Sequence, residues 1–319
     1  MNLRELEYLV AVDEELHFNR AAERCFVSQP TLSGQLKKLE EELGTSLIER
    51  NTRHVSMTDV GIAVAEQARK ILSEVKAIKD ITQTYNDPMA GELNVGLIPT
   101  IAPYLLPVII PSLKKNFPNL TLWLHEHQTA ILLAKLKNST LDCLILALPV
   151  EKNKFSAIEL YHEAFWLAVP NDTILSKKSS IKLLDLNKQE MLLLEEGHCL
   201  RGQALDVCFS AGATENNTFR ATSMETLRYM VSEGIGMTLL PELAIPKKRS
   251  VLDNINYIPF EEPKPSRLIG MLYRKGSYRE ESFQKIAKVI KEILGDSNNR
   301  KTTLTDKDQK IVLLNCKIN

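Results

Sequence analysis

Cys199 and Cys208 stand nine positions apart in a stretch that reads Glu196-Gly197-His198-Cys199-Leu200-Arg201 and continues to Phe209. An apolar strand-like run precedes it, and the pattern predicts a helix opening near Cys199. Three local effects favour a thiolate there: the unpaired amides and partial positive charge of a helix N-terminus, Arg201 as a nearby cation, and His198 as another. Glu195 and Glu196 oppose them, which leaves the sign of the shift open. A thiolate attacks peroxide and becomes a sulfenic acid. On a continuous helix, nine positions correspond to about 13 Å of rise, whereas a disulfide needs Cα atoms within about 7 Å. A bond between these cysteines therefore requires Arg201 to Val207 to unwind or shift. The competing reading is two inert buried cysteines.

Thr100 and Thr129 each follow a predicted strand and precede a predicted helix. Such positions line the crevice at the carboxyl ends of strands in open α/β sheets, where ligands collect. Thr129 also suits an N-cap, so capping alone is the alternative role for both hydroxyls. The five cysteines, Cys25, Cys143, Cys199, Cys208 and Cys316, form no spacing typical of zinc. His125 and His127 sit on a strand with no other ligand types beside them, so neither a metal nor a cofactor is expected. Neither a signal pattern nor a membrane-length apolar run is visible, and the expected location is the cytoplasm, where thiols are kept reduced.

The elements that must position these groups fall into segments. Over 319 residues, 44% apolar and 25% charged, the composition is that of a globular protein with two or three units. Residues 1–58 read as three short helices and a hairpin, 59–87 as one long helix, 88–295 as alternating strands and helices, and 296–319 as a polar tail. Thr58 caps the long helix, whose Val64, Ala68, Ile71, Val75, Ile78, Thr82 and Tyr85 form a heptad stripe. That stripe suits dimerisation; the alternative is a helix lying on its own domain. The alternation after Leu93 predicts α/β architecture with largely parallel sheets in two halves, crossed by the chain near 162–166 and 266–270. Expected strands are Leu93–Ile98, Leu120–Glu126, Leu141–Leu148, Leu167–Pro170, Met191–Leu194, Asn256–Phe260 and Leu268–Tyr273.

The third helix begins after Ser28, an N-cap with Pro30 in the first turn, and stops at Gly44. Leu32, Leu36, Leu39 and Leu43 form its apolar stripe. At about 100° per residue, Pro30 and Gly34 face the other way, flanked by Thr31, Ser33, Lys37 and Lys38, with Gln29 at the start. This small, polar face with two cations suits a major groove, and a solvated helix face is the alternative. A net charge of zero and glutamates at 14, 15, 40, 41 and 42 mean that any DNA-binding charge must be local.

Phe18-x-x-Ala21-Ala22, Val27-Ser28-Gln29-Pro30-Thr31-Leu32-Ser33, Leu39-Glu40 and Leu47-Ile48-Glu49-Arg50 resemble the winged helix-turn-helix of LysR-type transcriptional regulators. The resemblance implies that the third helix enters the major groove of double-stranded promoter DNA while the wing, with Arg50 and Arg53, meets phosphate or minor groove. Gln29, Thr31 and Ser33 are then the base-reading candidates, with Ser28, Pro30, Lys37 and Lys38 beside them.

Leu194 through Ala204, with Cys208-Phe209, resembles the redox loop of peroxide-sensing members of that family. Gly96-Leu97-Ile98-Pro99-Thr100, Gln128-Thr129 and Phe219-Arg220-Ala221-Thr222-Ser223 match as well. The resemblance implies a periplasmic-binding-protein-like effector domain of two α/β subdomains. It makes Cys199 the peroxidatic residue and Cys208 its resolving partner, with Thr100, Thr129, His198 and Arg267 around hydrogen peroxide. It also implies a tetramer built from dimers, and RNA polymerase as a partner. Gly202 stands where those proteins usually carry aspartate, which puts any carboxylate role at that position in doubt. Two other functions compete: a regulator of the same family answering an organic inducer, and a thiol peroxidase fused to a DNA-binding domain.

Overall fold

The computed structural model describes residues 1–50, 55–84, 87–150, 155–246 and 254–299. The chain divides into two compact units, Met1–Gly91 with Lys135–Thr140, and Glu92–Ala134 with Leu141 onward.

In the first unit, α1 (Leu3–Glu15), α2 (Phe18–Arg24) and α3 (Gln29–Leu43) precede the paired strands β1 (Ile48–Arg50) and β2 (Val55–Met57). Local chemistry sets the ends of α3. The Ser28 hydroxyl accepts from the Thr31 amide, Pro30 occupies the first turn, and Gly44 closes the helix in the left-handed conformation. Leu32, Leu36 and Leu39 are fully buried with Leu9, Val12 and Leu47. Leu43 is 40% exposed, contrary to its place in the predicted stripe, because the last turn extends beyond this core.

Helix α4 (Asp59–Thr84) starts where the Thr58 hydroxyl accepts from Gly61 N. A Cβ at Gly61 would stand 2.0 Å from the Leu47 carbonyl oxygen, so only glycine allows this approach. Ala65 and Ala68 are buried, and Arg69 pairs with Asp13 and Glu14 of α1. The first half of the heptad stripe is thus spent on its own unit, whereas Ile78 further along is 64% exposed.

The second unit begins with β3 (Gly91–Leu97), α5 (Ala102–Asn116), β4 (Leu120–Glu126), α6 (Thr129–Lys137) and β5 (Cys143–Leu148). The chain then enters β6 (Phe155–Pro170) and, later, β7 (Glu190–Leu194), α7 (Cys199–Ser210), β8 (Thr214–Ala221), α8 (Met224–Ser232) and β9 (Thr238–Pro241). It closes with β10 (Ile255–Pro259), β11 (Ser266–Arg274) and α9 (Glu280–Asn299), the last running past the predicted end at 295.

The main sheet has the order β10-β6-β11-β5-β3-β4, with β9 also on β6. The expectation of largely parallel sheets is corrected here. β3–β5 and β7–β8 are parallel, but β5–β11, β11–β6, β6–β10 and β6–β9 are antiparallel. The two crossing strands cause this. β6 pairs with β11 over Phe155–Ala164 and with β9 and β10 over Phe165–Pro170, passing from one half to the other within a single strand. Arg267 and Glu163 meet as register partners near that passage.

Candidate functional site

After β7 the chain turns at Gly197, whose φ of 94° is left-handed. A Cβ there would lie 2.6 Å from the Gln128 side-chain oxygen. Glycine is required by both backbone and neighbour, and it lets the start of α7 press against Gln128 and Thr129. His198 takes the N-cap without a side-chain cap bond, and Cys199 is the first helical residue. Cys199, His198 and Gly197 line one small concavity with Ile98, Pro99, Thr100, Gln128 and Thr129. It encloses ≈ 150 Å³ of empty space, solvent-open volume included.

Neither threonine serves as a cap. Thr100 lies in the turn before α5, whose N-cap is Ile101, and its hydroxyl accepts from Arg267 Nη1 at 3.0 Å. The N-cap role expected of Thr129 is not realised, because Thr129 is itself the first residue of α6. Among the described residues its buried hydroxyl finds no partner of regular hydrogen-bond geometry, yet it lies close enough to Cys199 to favour the thiolate. A hydroxyl without a cap duty is available to a ligand.

Arg267, on β11, is buried. Its Nη2 donates to the Thr100 carbonyl at 3.0 Å and its Nε to Glu163 Oε2 at 2.8 Å. Arg267 supplies the positive charge felt by Cys199. Arg201, the cation expected from sequence proximity, is held elsewhere, bidentate on Glu215 at 2.8 Å and on the Leu194 carbonyl. Burial lowers His198 below its ordinary value, with Glu195 opposing, so the imidazole is neutral at neutral pH and adds no charge.

The balance at Cys199 follows. Burial pushes the thiol up and outweighs Arg267, the Thr129 hydroxyl and the amides of Leu200 and Cys199, all of which favour the thiolate. The resting sulfur is a thiol with a small ionised fraction. Cys208 differs: it is buried among Leu200, Ala204 and Val207, and burial, with Glu215 adding, pushes its thiol up to about 12. Both cysteines are free, and α7 runs unbroken from one to the other. The site therefore brings together Cys199, Thr100, Thr129, His198 and Arg267, and leaves Cys208 inside the core.

On α3 the structure exposes Ser28, Pro30, Thr31, Gly34, Lys37 and Lys38, with Gln29 and Ser33 half-buried. The space around Gly34 is open to 4 Å. Lys37 lies 3.8 Å from Glu41, both exposed, a weak and salt-screened pair. Arg53 and the side chain of Arg50 lie outside the described residues. Sequence reasoning missed Glu163, because nothing local marks a glutamate in an alternating segment as the partner of a distant arginine. It also gave Gln128 and Gly197 no role in the site.

Among the described residues no helix is long and apolar enough to cross a membrane. Residues 3–62 match the family model "Bacterial regulatory helix-turn-helix protein, lysR family", and residues 86–295 match "LysR substrate binding domain". The chain is 49% identical over 291 residues to the DNA-binding transcriptional dual regulator OxyR of Escherichia coli K12, covering 91% of this chain and 95% of that one. Full-length OxyR C199D of Pseudomonas aeruginosa superposes with a TM-score of 0.75 at 38% identity, covering 91% and 94%. The oxidised form of OxyR superposes with a TM-score of 0.61 at 45% identity over 66% of this chain and 99% of that one. The helix-turn-helix at its start and the two-part α/β unit behind it make this chain a member of the LysR family of transcriptional regulators.

Proposed function

We propose that the chain is a peroxide-responsive, DNA-binding transcription regulator whose switch is α7. The Cys199 thiolate attacks one oxygen of hydrogen peroxide. An S–O bond forms, the O–O bond breaks, and the departing hydroxide takes a proton to become water. Cys208 then attacks the sulfenic sulfur, forming the disulfide and releasing a second water. Because about 13 Å of helix rise separates the two positions, the second step requires α7 to unwind, and oxidation becomes a conformational event. One observation carries this reading: a cysteine at a helix start, in a pocket with two threonines, one of them bonded to a buried arginine, with a second cysteine buried on the same continuous helix.

In the proposed division, residues 1–58 read promoter DNA, 59–87 pair subunits, and 88–295 sense peroxide. Paired dimers then form a cytoplasmic tetramer that acts on RNA polymerase. Mass spectrometry of non-reduced peptides after sub-stoichiometric peroxide, with footprints on promoter DNA, tests the reading. A Cys199–Cys208 linkage with altered footprints is expected. Its absence, with footprints unchanged, would refute the switch.

A further inference from the structure

The cation beside Cys199 is held by an anion on another strand. Arg267 makes two bonds to Thr100, and its remaining edge meets Glu163, with Nε and Nη2 both 2.8 Å from Oε2. The second carboxylate oxygen accepts from the Leu243 amide at 3.1 Å, which anchors Glu163 from its far side. The arginine side chain is 0% exposed and the glutamate 3%, so solvent screening between them is minimal. Among the described residues, Tyr161 on β6, Tyr104 on α5 and Cys199 feel the charge of this pair, and His198 stands beside that cysteine before α7. Tyr104 in turn bonds Glu225, which is paired with Arg228 on α8. Burial holds both tyrosines above their ordinary values and His198 below its own, so all three are neutral at neutral pH.

We propose that Glu163 is a positioning residue that fixes Arg267 on Thr100 and offsets its charge, thereby setting the reactivity of Cys199. This rests on the peroxide-sensing reading. Arg267 acts on the sulfur through its charge, and Glu163 acts through Arg267. With the carboxylate in place, the guanidinium is held at the pocket but gives only part of its field to the thiol. A sensor with the full charge would ionise more readily and oxidise at lower peroxide levels, so the carboxylate raises the threshold.

The test uses the full chain. Iodoacetamide alkylation of Cys199 and its oxidation by peroxide are followed by peptide mass spectrometry across a pH series. In Glu163→Gln the side-chain amide oxygen still accepts from Arg267 and, with the two bonds to Thr100, keeps it in place while the offsetting charge is gone. Both midpoints should fall by roughly one unit, with about tenfold faster reaction near neutral pH. Arg267→Gln should move them the other way, and Glu163→Asp should restore the parental midpoint. An unchanged or raised midpoint in Glu163→Gln would overturn the proposal. Should that variant not fold, Glu163→Ser decides: a lowered midpoint supports the assignment, and an unchanged or raised one overturns it. If the parent chain fails to react with peroxide while the alkylation shift persists, the sensing reading falls and the Glu163 assignment stands.

Discussion

Helices α3 and α7 are of similar length and are built to opposite ends. α3 has a side-chain N-cap at Ser28, a proline in its first turn, a left-handed glycine at its end and three fully buried leucines. α7 starts at His198 with no side-chain cap bond and ends at Ala211 in a right-handed conformation. Among its buried residues are Gln203 and Cys208, and the Gln203 side-chain oxygen has no hydrogen-bond partner among the described residues. Each cap is worth about 1 kcal/mol and each buried leucine about 1.5–3 kcal/mol. The first helix is held from both ends and from below; the second rests mainly on packing. A reading helix must keep its shape on DNA, whereas a redox helix must give it up at modest cost.

The largest break in this comparison is at the sulfur. Cys199→Ser should abolish disulfide formation and the footprint change while retaining DNA binding, as seen by peptide mass spectrometry and gel shift. Next comes the core under α3. Leu36→Ala should cost roughly 2–5 kcal/mol in thermal or denaturant unfolding of the first unit. It should weaken DNA binding and leave the rate of Cys199 oxidation at the parental value.

The buried thiols give a pH dependence. A thiol raised in the folded state binds its proton more tightly there than in the unfolded chain. Its contribution to stability is complete below the ordinary thiol range and is lost as pH climbs toward the folded value. For Cys208 that window extends to about 12. The melting temperature should therefore fall from neutral to alkaline pH, and Cys208→Ala should flatten part of that fall. A smaller change is expected at the pocket: Thr129→Val should slow sulfenate formation by about tenfold, the worth of one hydrogen bond to a charged group. The smallest sharpens the contrast directly. Asp206 is exposed near the carboxyl end of α7, where negative charge opposes the helix dipole. Asp206→Lys should stabilise the helix by about 0.5 kcal/mol, slow disulfide closure two- to threefold by that amount, and leave sulfenate trapping unchanged.

Elements with local causes were legible in the sequence. The bounds of α3 follow from Ser28, Pro30 and Gly44, and β4 lies where its apolar alternation put it. β6 was read only at Leu167–Pro170 because its first ten residues carry Glu159, His162 and Glu163 among half-buried neighbours and lack a continuous apolar run. β8 was missed for the same reason: Thr214–Ala221 is mostly polar. The antiparallel pairings of the main sheet run through β6 or β11 and were not legible, since strand direction is a property of the partner. At the site, Cys199, Thr100 and Thr129 stood out by their positions at element ends. Arg267 was reached only through the resemblance, because Arg201 is the cation near in sequence while Arg267 is near in space. Glu163 became visible only once β6 and β11 were paired.

Amide hydrogen exchange along residues 199–210, compared before and after peroxide, tests the central claim most directly. Unwinding of α7 predicts that protection at 200–208 disappears as the Cys199–Cys208 bond forms and returns on reduction. Unchanged protection across the helix, with that bond present by mass spectrometry, would contradict the account.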